Sequence, residues 1–192
     1  MLSNYLPEEA VSRISNYLQQ YRCELHISKP RQTKLGDYRC PQKGKGHRIS
    51  INSNLNPYAF LLTLVHEIAH MVVWEEHLNT TPPHGKEWKE TFQRLMLPFL
   101  EIYPDNILRP LALHLKNPKA SSSQDVTLTR ALRQYDAKDY LTIADIKEGE
   151  QFQIENGRSF IKLKKLRKRY QCKALDNNRT YLFSPLAEIT KG

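Results

Sequence analysis

Between Phe60 and Trp74 nearly every position is apolar. Thr63, His66, Glu67 and His70 are the polar interruptions, and no Gly or Pro occurs. A run this uniform predicts a helix buried on all sides. Asn56 is a good N-cap and Pro57 a good first helical residue, so the helix is expected to start there. Upstream, Val11, Ile14, Leu18 and Tyr21 recur at helical spacing over residues 7–21, with Glu8 and Glu9 in the first turn. Three short extended pieces lie between: residues 25–27, 35–39 and 48–52, with Gly44-Lys45-Gly46 as a turn before the third. They predict a small antiparallel sheet. After the apolar helix, Thr80-Thr81-Pro82-Pro83 is a stop and turn. From Lys86, the positions Trp88, Phe92, Leu95, Met96 and Phe99 form an apolar stripe of helical period, read as core packing without chemistry. Pro98 kinks or ends that helix.

The pattern then changes. Residues 104–139 read as a linker with a short helix near 128–135, because 117–124 is rich in Ser, Pro and Asn. His114 reads as a surface residue here. From 140 to 192 the pattern is β. Residues 152–155 and 159–163 flank Asn156-Gly157, a two-residue hairpin signal. Residues 169–174 and 180–183 flank a second turn at Asp176-Asn177-Asn178. The expected architecture is therefore α+β. Helices pack on a small sheet over residues 1–103, a linker follows, and a small all-β module closes the chain at 140–192.

Charge and cysteine content narrow the partners. The 192-residue chain carries a formal net charge of +9, which favours an anionic partner. Residues 158–173 hold eight basic residues and no acidic one. Lys162, Lys164, Lys165, Arg167, Lys168 and Arg169, with Phe160 and Tyr170 nearby, suit a nucleic-acid contact, single-stranded DNA included. The competing reading is a solvated, charged strand edge that prevents edge-to-edge pairing. Cys23, Cys40 and Cys172 are isolated, which argues against a disulfide framework and a cysteine-based zinc ribbon. No basic segment followed by an apolar core opens the chain, and the longest apolar run is broken by three ionisable residues. A cytoplasmic protein without a membrane span is expected.

Those ionisable residues carry the chemistry. His66-Glu67-Ile68-Ala69-His70 reads His-Glu-x-x-His. On a helix the two histidines lie about 40° apart and about 6 Å along the axis, so both can face one metal ion. Zinc suits such nitrogen ligands, and Glu67 stands where a general base would take a proton from a zinc-activated water. A chance motif on a core helix is the alternative, but burying three such groups without partners is costly. Two histidines compete as third ligand. On an unbroken helix His77 stands about 10.5 Å beyond His70. The turn at 80–83 instead lets the chain fold back and present His84, with Gly85 allowing close backbone approach. His26 and His47 read as strand or surface histidines. Tyr38, Tyr58 and His77 are oxyanion-stabilising candidates by residue type alone.

Over residues 5–100 the chain resembles the SprT-like family of zinc metalloproteases (Spartan-type domains). The resemblance rests on Asn54-Leu55-Asn56-Pro57, His66-Glu67-Ile68-Ala69-His70, Val73-Trp74 and Pro83-His84-Gly85-Lys86-Glu87-Trp88-Lys89. It implies a minimal zincin-like fold, one Zn²⁺ held by His66, His70 and His84, and Glu67 as the catalytic residue. It also implies endopeptidase activity on peptide substrates, held along an edge strand beside the zinc helix. Spartan-type members act on DNA-crosslinked proteins, so DNA is an implied partner. Some members carry a C-terminal ribbon of paired cysteines; here only Cys172 stands in that region. Two readings of other classes remain: a nucleic-acid-binding protein with a structural zinc, and a zinc hydrolase acting on something other than a peptide.

Overall fold

The computed structural model describes residues 2–31, 33–121 and 125–191. It is an α+β structure that divides into two compact units, Met1–Asp136 and Ala137–Gly192.

The first unit is built around α2, Pro57–His77. The Asn56 side chain accepts from the Ala59 backbone N–H, and Pro57 fills the first turn. Phe60, Leu61, Leu62, Leu64, Val65, Ile68, Ala69, Met71 and Val72 are all buried. By length and hydropathy α2 could cross a membrane, but here protein covers most of it. It ends at Leu78, whose φ of 53° breaks the helical path before the Thr-Pro turn is reached. α1 (Glu8–Gln20) follows its apolar stripe, burying Ala10, Ile14 and Leu18.

Strands β1 (Glu24–Ser28), β2 (Gly36–Arg39) and β3 (Arg48–Asn52) form one sheet in the order β1-β3-β2. The expected antiparallel sheet is corrected: β2 pairs with β3 antiparallel, but β1 pairs with β3 in parallel. The reason is burial. Ile49 and Ile51 are almost inaccessible, so β3 takes the centre, and the half-buried β2 is left as an edge.

α3 (Lys86–Met96) buries Trp88, Phe92, Leu95 and Met96. A 3-10 segment, Leu97–Ile102, follows with Pro98 in its first turn. The stretch expected as a linker with one short helix carries two packed helices, the unexpected α4 (Asp105–Lys116) and, near the expected place, α5 (Val126–Arg133). Ile107, Leu111 and Leu115 recur every fourth residue and are buried, as are Leu128, Ala131 and Leu132. His114, expected at the surface, is only 3% exposed. Ser122, Ser123 and Gln124 of the linker-like stretch lie outside the described residues. Asn56 closes this part of the unit. Its side-chain amide donates to Leu132 O at 2.9 Å and to Asp136 Oδ1 at 2.5 Å.

The second unit holds five antiparallel strands in the order β7-β6-β5-β4-β8. They are β4 (Gln151–Gln153), β5 (Ser159–Lys165), β6 (Tyr170–Ala174), β7 (Thr180–Phe183) and β8 (Thr190–Lys191). A short 3-10 turn, Ile143–Asp145, precedes them. Phe152, Phe160, Tyr170, Cys172 and Ile189 form its core. The Asn156-Gly157 loop has one residue more than expected. Ile154 N–H donates to Arg158 O, and Gly157 takes a φ of 81° that glycine tolerates.

Asn56 both caps α2 and ties α5 to it. Asn56→Ala is therefore expected to cost about 2 kcal/mol, more than a cap alone. The check is a lower denaturation midpoint with an unchanged denaturant slope.

Candidate metal centre

Burying polar side chains on α2 requires partners, and Thr63, His66 and His70 have them. Thr63 Oγ1 donates back to Ala59 O at 2.8 Å. His66 and His70 stand one turn apart with ring centroids separated by 5.0 Å. Both meet His84, which the chain delivers from the turn after α2. His66 Nε2 lies 3.1 Å and His70 Nε2 3.0 Å from His84 Nε2.

His84 reaches this position through a strained turn. Its φ is 57°, a left-handed conformation uncommon for a residue other than glycine. Gly85 follows, and a Cβ there would lie 2.9 Å from Pro82 O. The close backbone approach expected at Gly85 is thus present.

The donor set fits a metal ion. One nitrogen from each imidazole lies within 4.8 Å of the other two. A tetrahedral zinc site with Zn–N near 2.0–2.1 Å has nitrogen edges of about 3.3 Å, close to the spacing found. Burial holds all three histidines below the ordinary imidazole pKa, His70 at about 4, and neighbouring rings add to this for His66 and His70. The shift favours neutral imidazole, which is the ligating form.

Behind the triad stands Trp88. Its ring centroid is 4.5, 5.3 and 4.7 Å from those of His66, His70 and His84, and it stacks on Phe92 at 5.1 Å. The sequence pattern marks Trp88 and Phe92 as core only. The structure adds that they are the apolar wall of the histidine cluster. The adjacency of Trp88 to His84-Gly85 was the available signal.

Glu67 is 7% exposed and faces β2. A Cβ built on Gly36 would lie 2.5 Å from Glu67 Oε1 and 2.8 Å from Thr63 Cγ2. Only glycine lets the strand pass this close. Burial raises the Glu67 pKa to about 8, the Asp37 charge adds to it, and the Tyr38 backbone hydrogen bond opposes it.

Two clefts flank the triad along β2. One, of about 170 Å³, is lined by Gly36, Thr63, His66, Glu67, Phe92 and His114 among others. The other, of about 300 Å³, is lined by Tyr38, Cys40, His70, Trp74, Pro83 and His84 among others.

Other histidines lie apart from the cluster. His77 is the last residue of α2, and its Nε2 is 3.9 Å from Glu76 Oε2. His26 is exposed on β1. His47, expected as a bland strand or surface residue, is 6% exposed and bridges Tyr38 OH at 2.9 Å and Glu75 Oε1 at 2.8 Å. That bond commits the Tyr38 hydroxyl. Tyr58 packs between Tyr103 and Tyr135.

In the second unit, Lys164, Lys165, Arg167, Lys168 and Arg169 are exposed at the β5–β6 turn. Lys162 departs from the expected set. It is 4% exposed, donates from Nζ to Ile146 O and lies 4.1 Å from the Tyr170 ring centre. Strand alternation turns it inward, so it is a structural cation and is withdrawn from the nucleic-acid contacts.

A family model described as "SprT-like family" matches residues 7–105. Protein SprT of Cronobacter sakazakii (strain ATCC BAA-894) is 54% identical over 35 residues, 18% of this chain. The match spans 20% of that relative's length. No solved structure matches. The family model covers just over half of the chain, and on that ground the chain belongs to the SprT-like family.

Proposed function

We propose that this chain is a zinc-dependent endopeptidase. The observation that carries the reading is the convergence of His66, His70 and His84 beside a buried carboxylate, Glu67, along the free edge of β2. The zincin-like arrangement expected from the sequence belongs to the same reading. His66, His70 and His84 would hold the ion through their ring nitrogens. When bound, zinc supplies Lewis acidity that polarises a carbonyl and brings a water's pKa towards about 7.

The chain's own residues do the rest. Among the described residues the outer edge of β2 pairs with no strand, and its backbone N–H and C=O groups would hold an extended peptide as an added strand. That places a peptide bond over the cluster, with side-chain space in the clefts on either side. A Glu67 carboxylate oxygen takes the proton from the attacking water and returns it to the leaving amine nitrogen. Trp88 and Phe92 close the rear of the cluster to solvent. The substrate class we infer includes proteins held on DNA, supported by the exposed run Lys164, Lys165, Arg167, Lys168 and Arg169. A cytoplasmic setting is part of the same reading.

Glu67→Gln is expected to keep metal, measured by elemental analysis, and to lose at least about a hundredfold in cleavage of a basic DNA-binding protein, assayed with and without single-stranded DNA. Loss of metal in that variant would assign Glu67 a structural role. His84→Ala is expected to weaken metal binding by more than the 10- to 100-fold typical of a lost supporting group. Unchanged affinity would remove His84 from the ligand set.

Gly36→Ala tests the contact between β2 and the base. Its methyl group displaces the Glu67 carboxylate, so turnover should fall by about a hundredfold while metal content is retained. Full activity in this variant would show that Glu67 does not work from the position described.

A further inference from the structure

The two clefts beside the histidine cluster differ in chemistry. The one on the Glu67 side has a carboxylate and an ammonium in its lining, Glu67 and Lys34. The one on the His70 side is walled by Tyr38, Val73, Trp74, Pro83 and Trp88. Leu78, 60% exposed, continues this apolar surface outwards. Among the described residues, no carboxylate lines this second cleft. Apart from the cluster histidines, its one ionised side chain is Arg39, which already pairs with Asp37 at 3.0 Å.

The walls are held in place by their own neighbours. Tyr38 OH lies 2.9 Å from His47 Nδ1, and His47 Nε2 lies 2.8 Å from Glu75 Oε1. Trp74 meets the His47 ring edge-on at 5.3 Å. Trp88 is 1% exposed and stacks on Phe92. The indole Nε1 atoms of Trp74 and Trp88 are both buried, and neither has a hydrogen-bond partner. No acceptor stands within reach of either ring, so the aromatic walls are dry. A recess of this kind, built of fixed aromatic and aliphatic groups, suits an apolar occupant and costs little to organise.

We propose that this cleft sets the cleavage preference of the enzyme. It takes a large apolar side chain, aromatic or aliphatic, from the substrate residue next to the cleaved bond on the His70 side. The proposal rests on the protease reading and names the substrate feature that the site selects. A peptide added to the edge of β2 alternates its side chains between two faces. The residue that turns towards α2 beyond His70 meets Val73 and Trp74. Space is sufficient: an apolar cavity of about 150 Å³ holds benzene, and this cleft measures about 300 Å³. Covering Leu78 and the side chain together removes apolar surface from water. A lysine or arginine at the same position would lose hydration without meeting a carboxylate. An alanine would leave the recess unfilled.

The chain contains two tryptophans, and both line this cleft. Intrinsic tryptophan emission therefore reads its occupancy without any turnover. The zinc-loaded Glu67→Gln protein is titrated with blocked polyalanine peptides carrying one Phe, one Leu, one Lys or no guest residue. The Phe and Leu peptides are expected to shift the emission and to bind at least about tenfold more tightly than the other two. Equal affinity for all four, or no change in emission, would overturn the proposal. In parallel, the wild-type enzyme digests a peptide library and the cut sites are read by mass spectrometry. Large apolar residues should be enriched at one position beside the cut. Leu78→Asp adds a carboxylate at the rim, and Leu78 lies outside the buried core. That variant should shift the enriched residue towards Lys and Arg. Cleavage with no preference at that position, or a preference for Lys or Arg in the wild type, would overturn the proposal. No cleavage at all, with the fluorescence selectivity present, would sink the protease reading and uphold the apolar selectivity of the cleft.

Discussion

The contact between the Glu67 carboxylate and the backbone of Gly36 governs how the first unit is assembled. α2 carries an ionisable group at a depth where only 7% of its surface is exposed, and the strand that covers it must lack a side chain at the point of contact. That requirement fixes β2 as the strand over the helix and sets its register. Tyr38 is then placed so that its hydroxyl meets His47, which is anchored by Glu75 on α2 two turns beyond Glu67. Strand and helix are thus joined at two points, one on either side of the histidine cluster.

The same helix explains why the cluster forms. Two imidazoles on one turn cannot enclose an ion alone, and α2 runs straight past them to His77. The third imidazole needs a sharp reversal, which the chain achieves with a left-handed backbone at His84. Strain of this kind persists only where surrounding packing holds it. Trp88 and Phe92 provide that packing, since Trp88 lies against all three rings.

Residues beyond the family-matched region contribute to the unit as well. α4 and α5 bury their apolar stripes and are tied through Asn56 to the first turn of α2. His114 of α4 lines the cleft next to Glu67. The stretch between the recognised domain and the β strands is therefore part of the wall of the candidate site.

Local patterns decided a good deal from sequence alone. The Asn56-Pro57 start, the uninterrupted apolar run, the fourfold spacing of His66 and His70, and the Thr-Pro turn before His84-Gly85 each act over a few residues. Their physics is that of one helical turn or one backbone reversal. What the sequence could not decide depends on distant partners. β3 became the central strand because Ile49 and Ile51 needed cover on both sides, which gave a parallel β1–β3 pair in place of an antiparallel sheet. His47 and His114 were buried by elements far away in the chain. Lys162 turned inward because strand alternation places it among the core positions Phe160, Tyr170 and Cys172. The polar composition of 117–124 suggested a linker, yet the helices on either side pack on the core. Periodicity names which face of an element is apolar; only tertiary packing says what covers it, and therefore which polar groups end up together.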